Sequence, residues 1–159
     1  MAHTLKLTTP SDNELRLTRS FDAPRPLVFD CWTKPELVRR WMTGPDGWAF
    51  VVCDIDLRVG GSYRYVWRNL AGTDMGLRGV YREIETPQRL VSNELFDQDW
   101  TGGETLCTVV FTQQGKTTTA TTTVLYASME ARNGAMQSGM EQGMATGFDR
   151  LEAVLTTLA

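Results

Sequence analysis

The side chains best suited to recognition or catalysis gather in the middle of the chain. Tyr63, Tyr65 and Trp67 recur at every second position, so an extended strand turns all three rings to one face. Trp41 and Trp48 precede them, and Tyr81 comes from a nearby strand. Rings with a polar tip suit the binding of another ring or an acyl chain in a part-wet pocket, and they suit an ordinary core as well. Glu83 is the carboxylate that a general acid or base would need, provided its side chain faces a water-poor interior that raises its pKa. Alternation leaves its direction open: Val80 and Ile84 share one parity, Tyr81 and Glu83 the other. Arg58 stands just before Gly60-Gly61. Paired with Asp56 or Glu83 it pins the turn; otherwise Arg58 or Arg78 offers a guanidinium clamp for a ligand carboxylate.

Other chemistries lack their residues. His3 is the only histidine and stands at a chain end, so Ser-His, Cys-His and His-ligated metal systems have no histidine within the expected body. Cys31, Cys53 and Cys107 are odd in number and form no CxxC pair, which indicates reduced buried thiols rather than a disulfide framework or a zinc site. Gly60-Gly61 and Gly102-Gly103 open no helix and are not phosphate loops. No metal and no cofactor is expected.

A long C-terminal helix has to position these residues. Met136, Met140, Met144, Phe148, Leu151, Leu155 and Leu158 step by four and three, one face of a helix. Ser138 with Glu141 has the spacing of a capping box, which places the regular start there. The Leu and Phe end reads as fixed core. The Met end, with Gly139, Gly143 and Gly147 opposite, reads as a loosely packed wall of a cavity, or as plain core filler.

The remaining chain supplies strands. Residues 1–13 are polar and read as a loosely attached N-terminus, followed by a single domain over 14–159. A strand spans Glu14 to Phe21, and Asp22 is placed to cap a short helix from Pro26 to Trp32. A second short helix runs from Glu36 to Trp41. Strands follow over Ala49–Leu57, Ser62–Arg68, Gly76–Ile84, Arg89–Leu95, Thr105–Gln113 and Lys116–Tyr126. Short connections make neighbours antiparallel. The expected fold is α+β: a curved seven-stranded antiparallel sheet wrapped around a long C-terminal helix, with two short helices after the first strand. A formal net charge of −3 opposes nonspecific nucleic-acid binding. No stretch is apolar and long enough for membrane insertion, and the N-terminus lacks a signal-like apolar core, so a cytoplasmic location is expected. An open sheet edge or the Met-rich helix end would support a homodimer.

This order of elements, with a set of residues in register, resembles the START-like, Bet v 1-like helix-grip superfamily (SRPBCC), and within it the AHSA1-like branch named for the activator of Hsp90 ATPase. The matching residues are Phe21-Asp22-Ala23-Pro24, Val28-Phe29, Trp32-Thr33, Pro35, Arg40-Trp41 and Gly44-Pro45. Asp56-Leu57-Arg58, Gly60-Gly61, Gly79 to Ile84, Pro87, Arg89-Leu90, Gly139-Met140, Gly143 and Leu151 continue the series. The resemblance implies a central cavity between sheet and helix. The leading expectation is a binding protein for a hydrophobic or aromatic, possibly acidic, small molecule, lipids included. Its ligand residues would be Trp41, Trp48, Tyr63, Tyr65, Trp67, Tyr81, Arg58, Met136, Met140 and Met144. The alternatives are a cyclase-, hydratase- or aldolase-like enzyme using Glu83, and a partner of an Hsp90-type chaperone.

Overall fold

The computed structural model describes residues 3–44, 46–98 and 103–158. Pro45 of the Gly44-Pro45 match and Gly102 of the Gly102-Gly103 pair lie outside the described residues. The elements in chain order are β1 (Lys6–Thr8), β2 (Glu14–Phe21), α1 (Arg25–Thr33), α2 (Pro35–Trp41), β3 (Trp48–Ile55), β4 (Ser62–Asn69), β5 (Asp74–Glu85), β6 (Arg89–Phe96), β7 (Thr105–Gln114), β8 (Thr117–Leu125), α3 (Met129–Gln137) and α4 (Met140–Leu158). The strands form one antiparallel sheet in the order β1-β2-β8-β7-β6-β5-β4-β3. Hairpins build it from β3 to β8, and the α1–α2 excursion carries the chain from β2 to the far edge.

The sheet has eight strands rather than seven. The additional one, β1, lies in the segment read as loosely attached and pairs Lys6 with Thr18 and Thr8 with Arg16. Three residues are too few to show an alternating pattern; the open edge of β2 supplies what local sequence does not.

Packing follows from the periodicities. On β2, Leu15, Leu17 and Phe21 face the core. The threonine run forms β8, with Thr118, Ala120 and Thr122 turned inward, because branching at Cβ suits the pleat. Phe148, Leu151, Val154 and Leu155 of α4 pack on α1, α2 and the inner sheet face. Among the described residues no helix is long and apolar enough to cross a membrane.

Two expected caps are different. Gly139 takes φ +84°, and this splits the expected rod into α3 and α4. The Ser138 hydroxyl donates to the Ala135 carbonyl at 2.6 Å, closing α3 instead of capping α4. No side chain caps α1; Asp22 instead accepts from His3 at 2.9 Å. The glycine row also serves differently along its length. A Cβ on Gly147 would stand 3.9 Å from the Trp41 carbonyl oxygen, so helix α2 comes close there, whereas one on Gly143 would meet open space.

Candidate functional site

The sheet register sets up the site. Tyr63 on β4 is opposite Gly79 on β5, and Gly79 is opposite Glu94 on β6. With no side chain on Gly79, the Tyr63 ring lies flat across β5; a Cβ at that position would overlap the ring. The phenol thereby reaches β6 and donates to Glu94 Oε2. Its oxygen is also 2.9 Å from Ser92 Oγ. In the next row Tyr81 is opposite Ser92, and Ser92 opposite Cys107 on β7. In the row on the other side Tyr65 is opposite Leu77, and Leu77 opposite Phe96. Tyr63, Tyr65, Tyr81, Ser92, Glu94 and Cys107 thus share one patch of the inner sheet face.

The rings are closely packed. Tyr63 and Tyr65 have centroids 5.1 Å apart, as do Tyr63 and Tyr81. Phe50 extends the group to Trp67, 5.0 Å away. Tyr65 and Tyr81 are almost wholly buried, at 4% and 3% exposure. Neither hydroxyl has a hydrogen-bond partner among the described residues, and neither belongs to the fully sealed unpartnered atoms, which are Arg25 Nε, Arg89 Nε and Thr122 Oγ1. Glu94 Oε1 has the same character: it is unpartnered, deep and unsealed. Glu94 and Cys107 both lie deep in the protein and still keep accessible surface.

The electrostatics match this setting. Burial raises the Glu94 carboxyl above its ordinary range, against the smaller downward pull of the Tyr63 hydrogen bond. Among the described residues no basic side chain acts on it. Burial also raises Tyr63, Tyr65, Tyr81 and Cys107, and the nearby Glu94 adds to each. Tyr126 is pushed up to about 12, chiefly by burial. Glu94 is therefore the group here that changes charge most readily. It has the features of a general acid or base: deep, raised, and with one oxygen open.

The predicted residues divide into several places. Tyr63, Tyr65 and Tyr81 form the centre, with Trp67 beside them. Trp67 donates its indole N–H to the Met42 carbonyl at 2.9 Å, and Trp41 donates to the Cys31 carbonyl at 2.7 Å, so both ring nitrogens serve the backbone. Trp41 stacks on Phe148 at 5.9 Å, within the apolar half of the core. Trp48 is half-buried at the margin of that core.

The methionines do not make one wall. Met144 packs on the main core. Met140 belongs to a separate cluster with Leu15, Tyr126 and Ala135. Met136 is exposed and borders an open groove of about 510 Å³, with His3, Leu5 and Gly139. The break at Gly139 is the physical reason, since it ends the common helical face.

Arg58 is also away from the centre. It is exposed and holds Asp56 at 2.9 Å, which pins the turn. Arg78 points outward as well. Glu83 is exposed and lies 3.7 Å from Arg89. A β-bulge between Tyr81 and Glu83 breaks the parity they share in sequence, so Tyr81 stays inside while Glu83 turns out. The interior carboxylate is Glu94, which sequence reasoning passed over. The signal was the parity Leu90, Ser92, Glu94, Phe96, which follows Leu90 inward.

His3 lies on the folded body. Its Nε2 is 2.9 Å from Asp22 Oδ1, and ligand atoms of His3, Asp22 and Glu152 fall within 4.8 Å of one another. Arg19, buried beneath, already brings positive charge there through Glu152 at 3.4 Å and Asp149 at 3.2 Å.

Comparisons with known proteins agree on the architecture. A Rhodobacter sphaeroides protein of known structure is 30% identical, superimposes with a TM-score of 0.92, and is matched over 97% of this chain and 99% of its own. A Staphylococcus epidermidis protein is 26% identical with a TM-score of 0.82, over 95% of this chain and 94% of its own. An AHSA1-like protein from Aeromonas hydrophila, at 19% identity and a TM-score of 0.69 over 87% and 93% of the two chains, shares the fold. No curated protein matches the sequence. The sequence model described as "Activator of Hsp90 ATPase homolog 1-like protein" matches residues 22–156. The chain therefore belongs to the family of activator of Hsp90 ATPase homolog 1-like proteins.

Proposed function

We propose that this protein binds a small molecule with an apolar or aromatic body, over the inner face of β4, β5 and β6 and beneath α4. One observation carries the reading: the Tyr65 and Tyr81 hydroxyls and Glu94 Oε1 are deep, unpartnered and unsealed. Buried polar atoms are nearly always paired with protein or water, so a group of three that borders accessible space is where a ligand or its water would be held. The aromatic rings around them supply the apolar area whose burial drives association, at roughly 25 cal/mol per Å². The hydroxyls and the carboxyl set the orientation. The AHSA1-like fold is in keeping with such a domain.

A second reading is favoured by Glu94 alone. A raised carboxyl with no basic partner can take a proton from a bound molecule at one atom and return it at another, as an isomerase, cyclase or hydratase requires. In that case Tyr63 holds the carboxyl in place by its hydrogen bond.

Native mass spectrometry of protein purified from cells, together with titration by the neutral dye Nile red, tests the binding reading. A saturable site of about one dye per chain, or a co-purifying small molecule displaced by the dye, is expected. Absence of both outcomes would overturn it. Turnover of a ligand that disappears in Glu94→Gln while binding persists would select the enzyme.

A further inference from the structure

The inner patch also carries information about charge. The ionisable groups in and around it are Cys53 from β3, Tyr63 and Tyr65 from β4, Tyr81 from β5, Glu94 from β6, Cys107 from β7 and Tyr126 after β8. Burial keeps the phenols and the thiols neutral at physiological pH. Only the carboxyl can carry charge, and its charge is negative. Four arginines of the sheet and its turns are engaged elsewhere: Arg58 is on Asp56, Arg64 on Asp97, Arg89 near Glu83, and Arg19 on Asp149 and Glu152.

We infer that the patch takes an amine. The ligand is a protonated nitrogen on an apolar or aromatic body, with its N–H donating to Glu94 Oε1 and its charge beside the Tyr63, Tyr65 and Tyr81 group. Three physical points converge. A buried carboxylate without a cation is costly, and a ligand ammonium supplies the missing partner. Tyrosine faces carry negative quadrupole density and attract a cation within about 6 Å of the ring centroid. The Tyr63 hydroxyl touches Glu94, and Tyr65 and Tyr81 pack on the Tyr63 ring at 5.1 Å, so a nitrogen at the carboxyl meets the hydroxyl edge of this aromatic group. A carboxylate ligand of the same shape would meet like charge and no guanidinium, which reverses the acidic-ligand expectation drawn from Arg58 and Arg78. Burial disfavours the charged carboxyl before binding, so an ammonium that pairs with it favours ionisation, and binding is linked to proton release over the pH interval in which the free carboxyl titrates.

This inference rests on the binding reading above, and the experiment separates the two. Two matched series are titrated into the full chain by calorimetry and thermal shift: 2-phenylethylamine, 2-phenylethanol and 3-phenylpropionate, then octylamine, octanol and octanoate. The expected result is that in at least one series the amine binds tenfold or more tighter than its alcohol and its acid. Its affinity should also rise as pH increases through the interval in which the free Glu94 carboxyl titrates, as linked proton release requires. Glu94→Gln, if its melting curve shows a folded protein, loses the preference for the amine and retains the alcohol. Should that variant not fold, the wild-type comparison decides. An acid or alcohol that binds as tightly as its amine in both series overturns the inference and leaves the binding reading standing. An amine preference that survives in folded Glu94→Gln also overturns it. If no member of either series binds, the amine inference falls; if Nile red fails as well, the binding reading falls with it.

Discussion

The two halves of the inner sheet face are built by opposite rules. Beneath α1, α2 and the far half of α4, Phe21, Trp32, Trp41, Phe111 and Phe148 interlock edge to face and stacked, with centroids between 4.9 and 6.3 Å. Several polar atoms there are paired, Trp41 with Cys31, Thr33 with Phe29 and Thr118 with Ala23, while Arg25 Nε of α1 is sealed without a partner among the described residues. On β4 to β6 the rings are as deep, but two hydroxyls and a carboxylate oxygen are left unanswered. The first half is apolar packing between helices and sheet, and the second half sets unpartnered polar groups among packed rings.

The contrast breaks most severely at Phe148. Its ring touches Phe21, Trp32 and Trp41 at 5.8 to 5.9 Å and is 2% exposed. Phe148→Ala is expected to lower unfolding free energy by about 3–5 kcal/mol in urea titration, with a loosened α2–α4 contact. A loss under about 1 kcal/mol would mean that this half is not the stabilising one. Next in size is Gly79→Ala. Its methyl must displace the Tyr63 ring, an overpacking cost of about 1–3 kcal/mol, and the hydrogen bond to Glu94 is lost with it. The same variant should weaken Nile red binding, whereas Phe148→Ala should affect the dye only through stability.

Most of the architecture was legible because it rests on periodicity. Alternation marks β2 and β4, step-four spacing marks α4, and Gly-Gly marks the β3–β4 turn. What escaped depends on tertiary partners. β1 exists only because the edge of β2 accepts it. Gly139 sits inside an unbroken helical pattern, and only its positive φ reveals the break that separates Met136 from Met144. In the site, the aromatic alternation of Tyr63, Tyr65 and Trp67 was readable, and so was the parity that carries Glu94 inward from Leu90, while the outward turn of Glu83 was not. One bulge reverses the direction of Glu83, and a bulge leaves no compositional mark on the segment Tyr81-Arg82-Glu83.

Glu94 sharpens the comparison through pH. Its folded pKa lies above the unfolded value, because burial disfavours the charged form. The native state then binds more protons than the unfolded chain over the interval between the two values, so stability falls as pH rises across it. The stability that Glu94 contributes is complete below the ordinary carboxyl range and is lost as pH climbs through the raised value. Glu94→Gln removes this slope, so its stability relative to the parent should increase from pH 4 to pH 7 in urea titrations at fixed ionic strength. A parallel pair of pH profiles would show that the carboxyl is not the group left uncompensated inside.

The smallest effects separate the tyrosines from one another. Tyr63 loses two hydrogen bonds as phenylalanine, to Glu94 and to Ser92, and Tyr63→Phe should cost about 1–2 kcal/mol. Tyr65 and Tyr81 have no hydrogen-bond partner to lose among the described residues, so Tyr65→Phe and Tyr81→Phe should stay within about 0.5 kcal/mol of the parent. If the open hydroxyls exist for a ligand, these two quiet variants should still change the affinity or selectivity for whatever binds. Variants silent in both stability and binding would place Tyr65 and Tyr81 with the closed half of the core, and the division between the two halves would then reduce to Glu94 alone.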